Sequence, residues 1–228
     1  MGKMTYSERM DKFDAALSAA ASGSDADQAL VSMLADPGLD SYERIGVVAA
    51  LGHTHGETGS RALREEFVAA CEKFSDTSKR RQSFDRDLIC ACVAALTARD
   101  GPAGTDIYTA AMRHSNWIIR SYGMGALAMA GDDSAWDEIM TWLGNALQRK
   151  IGAGGRIWRE VIEAIEYLAR HCSEDPARNV QLILMLRDRW RYLADPGQIE
   201  RWWPGIGPEG PSPDAIDLPG SHKVLLRW

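Results

Sequence analysis

The sequence lacks the features that define several protein classes. No run of apolar residues approaches the about 18 that a membrane-spanning helix needs, and the first residues lead straight into a charged amphipathic segment. We therefore expect neither a membrane span nor a secretory leader. The four cysteines form no Cys-x-x-Cys pair and no zinc-ribbon spacing, which predicts free buried thiols in a reducing cytoplasm.

The chain also lacks an excess of basic residues. It carries 26 basic and 32 acidic side chains, with a formal net charge of −6, and both halves are acidic. A non-specific nucleic-acid binder needs a basic surface to neutralise phosphates, so the balance argues against nucleic acid as the partner. Arginine far outnumbers lysine and alanine is abundant, which suggests a bacterial source.

What the chain does contain is a short recurring pattern. The segment from Arg44 to Gly52 is answered by the segment from Arg120 to Ala128, with arginine and leucine seven residues apart in both. Two looser copies cover residues 88–96 and 161–168. The leucines of the four copies are 45, 31 and 41 residues apart, a period that indicates stacked helical units.

Apolar residues recur at helical spacing through most of the first 194 positions, and no segment alternates as a strand would. We expect a cap helix over about residues 6–21 and a long last helix over 176–194. Between them the turn and cap residues predict four helix pairs, 25–35/41–52, 57–73/84–99, 104–114/116–130 and 133–149/155–171. Each pair is too small to bury its apolar face alone, so neighbouring pairs must stack.

The composition changes after residue 194. Six of the nine prolines lie in residues 195–228, which predicts a non-helical tail. The tail also holds Trp202, Trp203 and Trp228, and is too apolar for a solvated linker. We expect it to pack on the helices of residues 1–194 within the same compact domain.

The recurring block resembles the second helix of a HEAT repeat. Asp40-Ser-Tyr-Glu-Arg44 with Leu51-Gly52 matches that pattern best, and the copy around Arg120 matches it nearly as well, whereas Ile89 replaces the arginine in the middle copy. The resemblance covers about residues 25–171. It implies an all-α, right-handed α-solenoid of about four to five helix pairs, with the second helices on a concave face that grips a macromolecule. It also implies that Arg44 and Arg120 bond to carboxylates of neighbouring repeats.

The tryptophans locate the candidate binding surface. All eight lie at or after position 117, and the first 116 residues have none. Trp136 and Trp142 fall in a first helix and are expected in the core, whereas Trp117 and Trp158 fall near the concave rim. The candidate binding residues of the concave face and the tail are Trp117, Arg120, Trp158, Arg159, Glu163, Tyr167, Arg187, Arg191, Trp202 and Trp203.

Two carboxylates of the helix after residue 155 allow different interpretations. Arg159 and Glu163 are four residues apart, as are Arg156 and Glu160, a spacing typical of a solvated charged face. A cleft that raised the pKa of one carboxyl would instead permit acid–base chemistry. No nucleophile motif accompanies them, so we name no catalytic residue.

Metal or cofactor binding is not predicted. His53, His55 and Glu57 are close in sequence, but a structural zinc site usually needs four ligands and no fourth is near. They are typical of a polar turn at a helix end. A glycine-rich segment at 152–155 lacks the ending of a phosphate-binding loop.

These observations favour a non-enzymatic, acidic interaction module that binds a protein partner, of the adaptor or toxin-neutralising type. One alternative is a nucleic-acid enzyme, because the alkylpurine DNA glycosylases are similar HEAT-like proteins with Trp and Arg on their concave face. Another is a small-molecule enzyme or lyase with Glu163 and Tyr167 in an aromatic pocket. The sequence leaves catalysis, partner identity and oligomeric state open.

Overall fold

A computed structural model of the protein describes residues 26–76, 82–152, 156–172 and 175–219, together with the isolated positions 11, 14, 15 and 18. Within these ranges the chain forms helices and no strand, which confirms the all-α prediction. The α-helices are α1 Asp27–Leu34, α2 Ser41–Leu51, α3 Glu57–Asp76, α4 Gln82–Asp100, α5 Thr105–Met112, α6 Trp117–Ala130, α7 Trp136–Ala146, α8 Arg156–Arg170, α9 Pro176–Asp188 and α10 Pro196–Trp202. None of the helices described is long and apolar enough to cross a bilayer.

The helices lie close to the predicted positions, with local differences. Helices α3 and α4 extend into the loop predicted around residues 75–83, and α9 ends at Asp188, six residues before the predicted end. The cap helix predicted over 6–21 falls outside the described residues except at the four isolated positions, which are helical. The glycine-rich segment at 152–155 and Trp228 also lie largely or wholly outside the description.

The prediction of a non-helical tail is wrong for residues 196–202, which form α10. The carboxylate of Asp195 accepts a hydrogen bond from the backbone N–H of Gln198 and caps the helix. Pro196 is the first helical residue, a position where the missing N–H has no intrahelical partner to lose. Proline therefore begins a helix here instead of breaking one.

Contacts divide the chain into two compact units, Met1–Ala126 and Leu127–Trp228. The sequence predicted one compact domain, in which a helical part (1–194) is followed by the tail (195–228). In the first unit α1 packs on α2 and α3, α2 packs on α4, and α3 packs on α4. Alternate helices are thus neighbours, as are consecutive ones. In the second unit α7 packs on α8 and α8 on α9.

Each unit contains an arginine that binds the end of an earlier helix. In the first unit Arg99, in the last turn of α4, donates from Nη1 to the carbonyl oxygen of Leu51 at 2.7 Å. In the second unit Arg170, at the end of α8, donates from Nη2 to the carbonyl oxygen of Leu127 at 2.8 Å. Leu51 and Leu127 are the leucines of the recurring block. The carbonyl oxygen of Leu51 also accepts from Thr54, and that of Leu127 also accepts from the backbone N–H of Gly131. Each arginine therefore adds a second donor to a helix end, where intrahelical donors run out.

Arg44, one of the two arginines expected to bond to a carboxylate of a neighbouring repeat, bonds to a neighbouring helix. Nη1 of Arg44 on α2 donates to Glu66 Oε2 on α3 at 2.8 Å, and both side chains are largely buried. The acceptor lies within a helix and not in a turn. Arg120 is half-buried on α6. The sequence did not indicate the role of Arg99 or Arg170.

Backbone carbonyls of the tail accept hydrogen bonds from α9 and from within the tail itself. Asn179 donates to the carbonyl oxygen of Ile216 at 3.3 Å, and the buried indole of Trp203 donates to that of Asp217 at 2.9 Å. The side chains of Ile199, Ile206 and Ile216 are buried beside these bonds. The tail therefore contributes buried side chains to the second unit, as expected of so apolar a segment.

Glycine allows α6 to approach α5 closely. A Cβ atom at Gly123 would lie within 2.8 Å of backbone atoms of Tyr108, Ala111 and Met112, which cannot move without shifting α5. We expect Gly123→Ala to lower the free energy of unfolding by about 1–3 kcal/mol, measured by urea denaturation. Gly144 on α7 is the matched control: a Cβ there meets nothing within 4 Å, so Gly144→Ala should raise stability by about 0.5–1 kcal/mol. Equal effects of the two substitutions would contradict the close approach.

Candidate functional site

The ten predicted site residues are distributed over both units. Trp117 and Arg120 lie on α6 in the first unit, and the other eight lie in the second. Trp117 is the first residue of α6 and is 40% exposed. It is therefore the predicted aromatic residue that most clearly presents apolar surface to solvent.

Two aromatic residues of α8 are used internally. Trp158 is buried and its indole N–H donates to Gln198 Oε1 on α10 at 3.0 Å. Tyr167 is buried and its hydroxyl donates to the carbonyl oxygen of Asp132 at 2.6 Å. These contacts join α8 to the tail and to the turn before α7. Trp158 thus contacts the tail through an internal hydrogen bond.

The predicted tail residues differ in exposure. Trp203 is fully buried, and its ring stacks on half-buried Trp202 with centroids 6.0 Å apart. Arg187 donates to the carbonyl oxygens of Gly205, Ile206 and Pro211 at 2.7–3.2 Å. Arg191 is exposed and bonds to the hydroxyl of Tyr192. Arg187 therefore organises the tail loop, a role that no local sequence pattern indicated.

The expectation of a solvated charged face on α8 is wrong. Glu160 and Glu163 are each only 1% exposed, because nearly every residue of α8 from Trp158 to Ala169 is buried. Glu163 Oε1 accepts a hydrogen bond from Arg159 Nε at 2.9 Å, and Arg159 is itself half-exposed. Glu163 Oε2 is buried and has no hydrogen-bond partner among the residues that the structure describes.

Burial dominates the electrostatics of Glu163. It raises the pKa of this carboxyl to about 7, against the lowering effect of Arg159 and with a further raising effect of Glu160. A carboxyl that titrates near neutral pH is a common property of functional sites, although structural carboxyls show it too. The chemistry of Glu163 accordingly departs from that of an ordinary surface carboxylate.

Aromatic residues at the starts of α2 and α4 form a surface that the sequence analysis missed. Tyr42, in the first turn of α2, is 73% exposed, and its ring meets that of Phe84, in the first turn of α4, edge to face at 5.3 Å. Trp117 is the first residue of α6, so α2, α4 and α6 each have an aromatic residue in the first turn. We call Tyr42, Phe84 and Trp117 the first-turn aromatics.

The sequence contained a signal for this surface. Tyr42 precedes Leu51 by nine residues, and Trp117 precedes Leu127 by ten, so the recurring block carries an aromatic residue near its start in both of its better copies. The tryptophans all lie after residue 116 and therefore favoured a binding surface in the second half of the chain, away from Tyr42 and Phe84. Contact between the two rings requires the packing of α2 on α4, helices that are not consecutive in the chain.

The described cysteines and metal-type residues show no reactive or ligating arrangement. Burial raises the pKa of the Cys71 thiol to about 11 and that of Cys90 to about 12, which suppresses the nucleophilic thiolate. In the ranges that the structure covers, no three His, Cys, Asp or Glu side chains converge as metal ligands would. Comparisons of the chain with protein-family models, curated proteins and solved structures gave no match.

Proposed function

We propose that this protein is a HEAT-like helical-repeat module that binds a protein partner, in the manner of an adaptor or a toxin-neutralising protein in the bacterial cytoplasm. Two features of the fold support the repeat. Helices α1 and α3 pack together, as do α2 and α4, which is the order expected of stacked pairs. Arg99 and Arg170 bind the carbonyls of Leu51 and Leu127, equivalent positions of the recurring block.

The exposure of Tyr42 carries the proposal of partner binding. Its side chain is 73% exposed although it lies against Phe84, and Trp117 is 40% exposed in the same unit. Tyrosine and tryptophan contribute most of the energy at many protein interfaces, because a rigid ring buries a large area at low entropic cost. Solvation of these rings in the free protein leaves that energy available for association.

Charge favours a basic partner. The net charge of the chain is −6, and Asp40 and Glu43 flank Tyr42 at the start of α2. Glu43 and Asp40 form a capping box, so their side chains are held in place beside the ring. Acidic surfaces accelerate encounter with a basic protein and discriminate against acidic ones.

The first-turn aromatics supply the test. The partner is isolated with the full chain as bait from the source organism, and its affinity is then measured by calorimetry. We expect Tyr42→Ala and Trp117→Ala each to weaken binding by tenfold or more, since about 1.4 kcal/mol or more is typical of an aromatic anchor. Val68→Ala is the matched control, because Val68 is 50% exposed but lies in the middle of α3.

Two outcomes would contradict the proposal. One is recovery of no stoichiometric partner from the host, including products of neighbouring genes. The other is a partner whose affinity is the same for Tyr42→Ala, Trp117→Ala and Val68→Ala. Circular dichroism of each variant checks that the helical content is retained.

A second candidate function, a small-molecule enzyme, is favoured by one observation. The buried carboxyl of Glu163 titrates near neutral pH, as a general acid or base must. Tyr167 is committed to the carbonyl of Asp132 and leaves Glu163 as the acid–base group. A thermal-shift screen against metabolites tests this function: a ligand that stabilises the native chain but not Glu163→Gln supports it, and the absence of any such ligand counts against it.

A further inference from the structure

The loop after α10 borders a solvent-open pocket of about 490 Å³ in the second unit. Its walls include the indole of Trp190, the carboxylates of Glu200 and Glu209, and the backbone of Gly205, Gly207 and Gly210. We call these residues the tail pocket. None of them is among the residues that the sequence analysis assigned to a binding surface.

The pocket has a defined backbone. Arg187 holds the loop through its bonds to the carbonyls of Gly205, Ile206 and Pro211. Gly205 has a φ of 83°, in the left-handed region that favours glycine. A pocket shaped by the bonds of half-buried Arg187 and by a glycine turn keeps its form without a ligand, which lowers the entropic cost of binding.

Gly207 leaves the space between the indole and a carboxylate open. An atom at the position of its missing Cβ would lie within 3.5 Å of both Glu200 Oε1 and Trp190 Cζ2. The Glu200 carboxylate and the edge carbon Cζ2 of the Trp190 ring therefore border the same small volume. This juxtaposition is the one that organic cations require, a negative charge for the ion pair and a ring for the cation–π contact.

The two carboxylates are available for a ligand. Neither Glu200 nor Glu209 forms a hydrogen bond or an ion pair in the part of the chain that the structure describes, and both are exposed. The nearby Arg187 directs its N–H groups to backbone carbonyls and does not pair with either carboxylate. The pocket consequently combines an apolar wall with two carboxylates that form no ion pair in the described ranges, while the guanidinium of Arg187 lies at its edge beside Gly210.

We propose that the tail pocket binds the guanidinium or alkylammonium group of a basic side chain that a protein partner inserts. Two carboxylates are fewer than the six or more oxygen ligands that calcium takes, and an apolar indole does not suit a hydrated metal ion. Anions are repelled by the same charges. A planar guanidinium can stack on Trp190 while it donates to Glu200 and Glu209.

That a protein partner carries this side chain rests on the proposed function. The binding of an organic cation in the tail pocket does not depend on it. Small probes test the pocket directly. The full chain, labelled with ¹⁵N, is titrated at low ionic strength with N-acetyl-arginine methylamide, with its lysine counterpart and with the neutral citrulline analogue. The indole N–H resonance of Trp190, assigned from its loss in Trp190→Leu, reports occupancy.

We expect both cationic probes to shift the Trp190 resonance and the citrulline analogue to leave it unchanged. Glu200→Gln and Glu209→Gln should each weaken binding about three- to fivefold, as loss of an exposed ion pair does. Gly207→Ala should weaken binding while it retains both charges, because its methyl group occupies the space beside the Glu200 carboxylate. Glu72→Gln, an exposed charge on α3, should bind as the wild type does.

Three results would overturn the inference: no shift of Trp190 up to the solubility limit of the cationic probes, equal binding of the citrulline analogue, or equal weakening by Glu72→Gln. Failure of the proposed function gives a different result. In that case the probes still bind the pocket, but no protein partner is recovered and the first-turn aromatics have no measurable effect.

Discussion

Substitution of Asp27 by alanine is expected to lower the free energy of unfolding by about 3–5 kcal/mol, one of the two largest effects that this fold predicts. Asp27 forms an ion pair with Arg99 at 2.8 Å, and the side chains are 1% and 3% exposed respectively. Alanine would remove the nearer of the two carboxylates beside the buried guanidinium of Arg99, which would keep only Asp100, whose Oδ1 lies 3.6 Å from its Nε. The desolvation of that charge, and not merely the lost attraction, sets the size of the effect.

Asp27 also satisfies neutral donors. It accepts hydrogen bonds from the hydroxyl of Thr54 and from the backbone N–H of Gly59 at 2.9 Å. Through them α1 is joined to the turn after α2 and to the start of α3. Asp27→Asn, which keeps an acceptor oxygen but removes the charge, should therefore lose less stability than Asp27→Ala.

An exposed ion pair provides the control. Asp133 pairs with Arg178 at 3.0 Å, but its side chain is 59% exposed. Asp133→Ala should change stability by about 1 kcal/mol or less, as water compensates the lost partner. Urea denaturation followed by circular dichroism compares the variants. A loss at Asp27 no greater than that at Asp133 would show that the buried pair contributes no more than a surface one.

Helix positions were predictable because they depend on neighbours in the sequence. Asp40 and Glu43 cap α2 three residues apart, and the proline at position 37 precedes that cap. The same local logic predicted α6 and α8 to within one or two residues. It fails at α10, because the density of prolines predicts no helix there, whereas Asp195 and Pro196 together form a helix start.

The contacts that fix the structure were less predictable because they join distant parts of the chain. The carboxylate of Asp27 meets the guanidinium of Arg99 from 72 positions away, and no spacing rule connects them. Likewise, Tyr42 meets Phe84 only because α2 packs on α4. Trp158 and Trp203 illustrate the converse. An indole in an aromatic, proline-rich context suggests a binding site, yet both donate to groups within the second unit.

Burial of α8 underlies the second large effect, that of Glu163→Gln. The carboxyl has a pKa of about 7 in the folded protein against the ordinary glutamate value of 4.5, chiefly because it is buried. Between these values the folded state binds more protons than the unfolded state, so stability falls as pH rises from about 4.5 to about 7. Above that range, ionisation of Glu163 should cost the folded protein about 3 kcal/mol.

Glutamine has the shape of the protonated carboxyl and cannot ionise. We therefore expect Glu163→Gln to match the wild type below pH 4.5 and to exceed it by about 3 kcal/mol at pH 8, as measured by urea denaturation across the pH range. Arg159 limits the gain, since its bond to Glu163 Oε1 stabilises the ionised form.

Glu209→Gln is the matched control for this pH dependence, because it removes an exposed carboxylate from the same unit. Its stability should follow the wild-type curve within about 0.5 kcal/mol at every pH. If Glu163→Gln instead loses stability at pH 8, the ionised carboxylate and Arg159 together stabilise the fold despite burial. Glu163 would then be a structural ion pair, and the acid–base role considered for it would lose its physical basis, since its proton would no longer exchange near neutral pH.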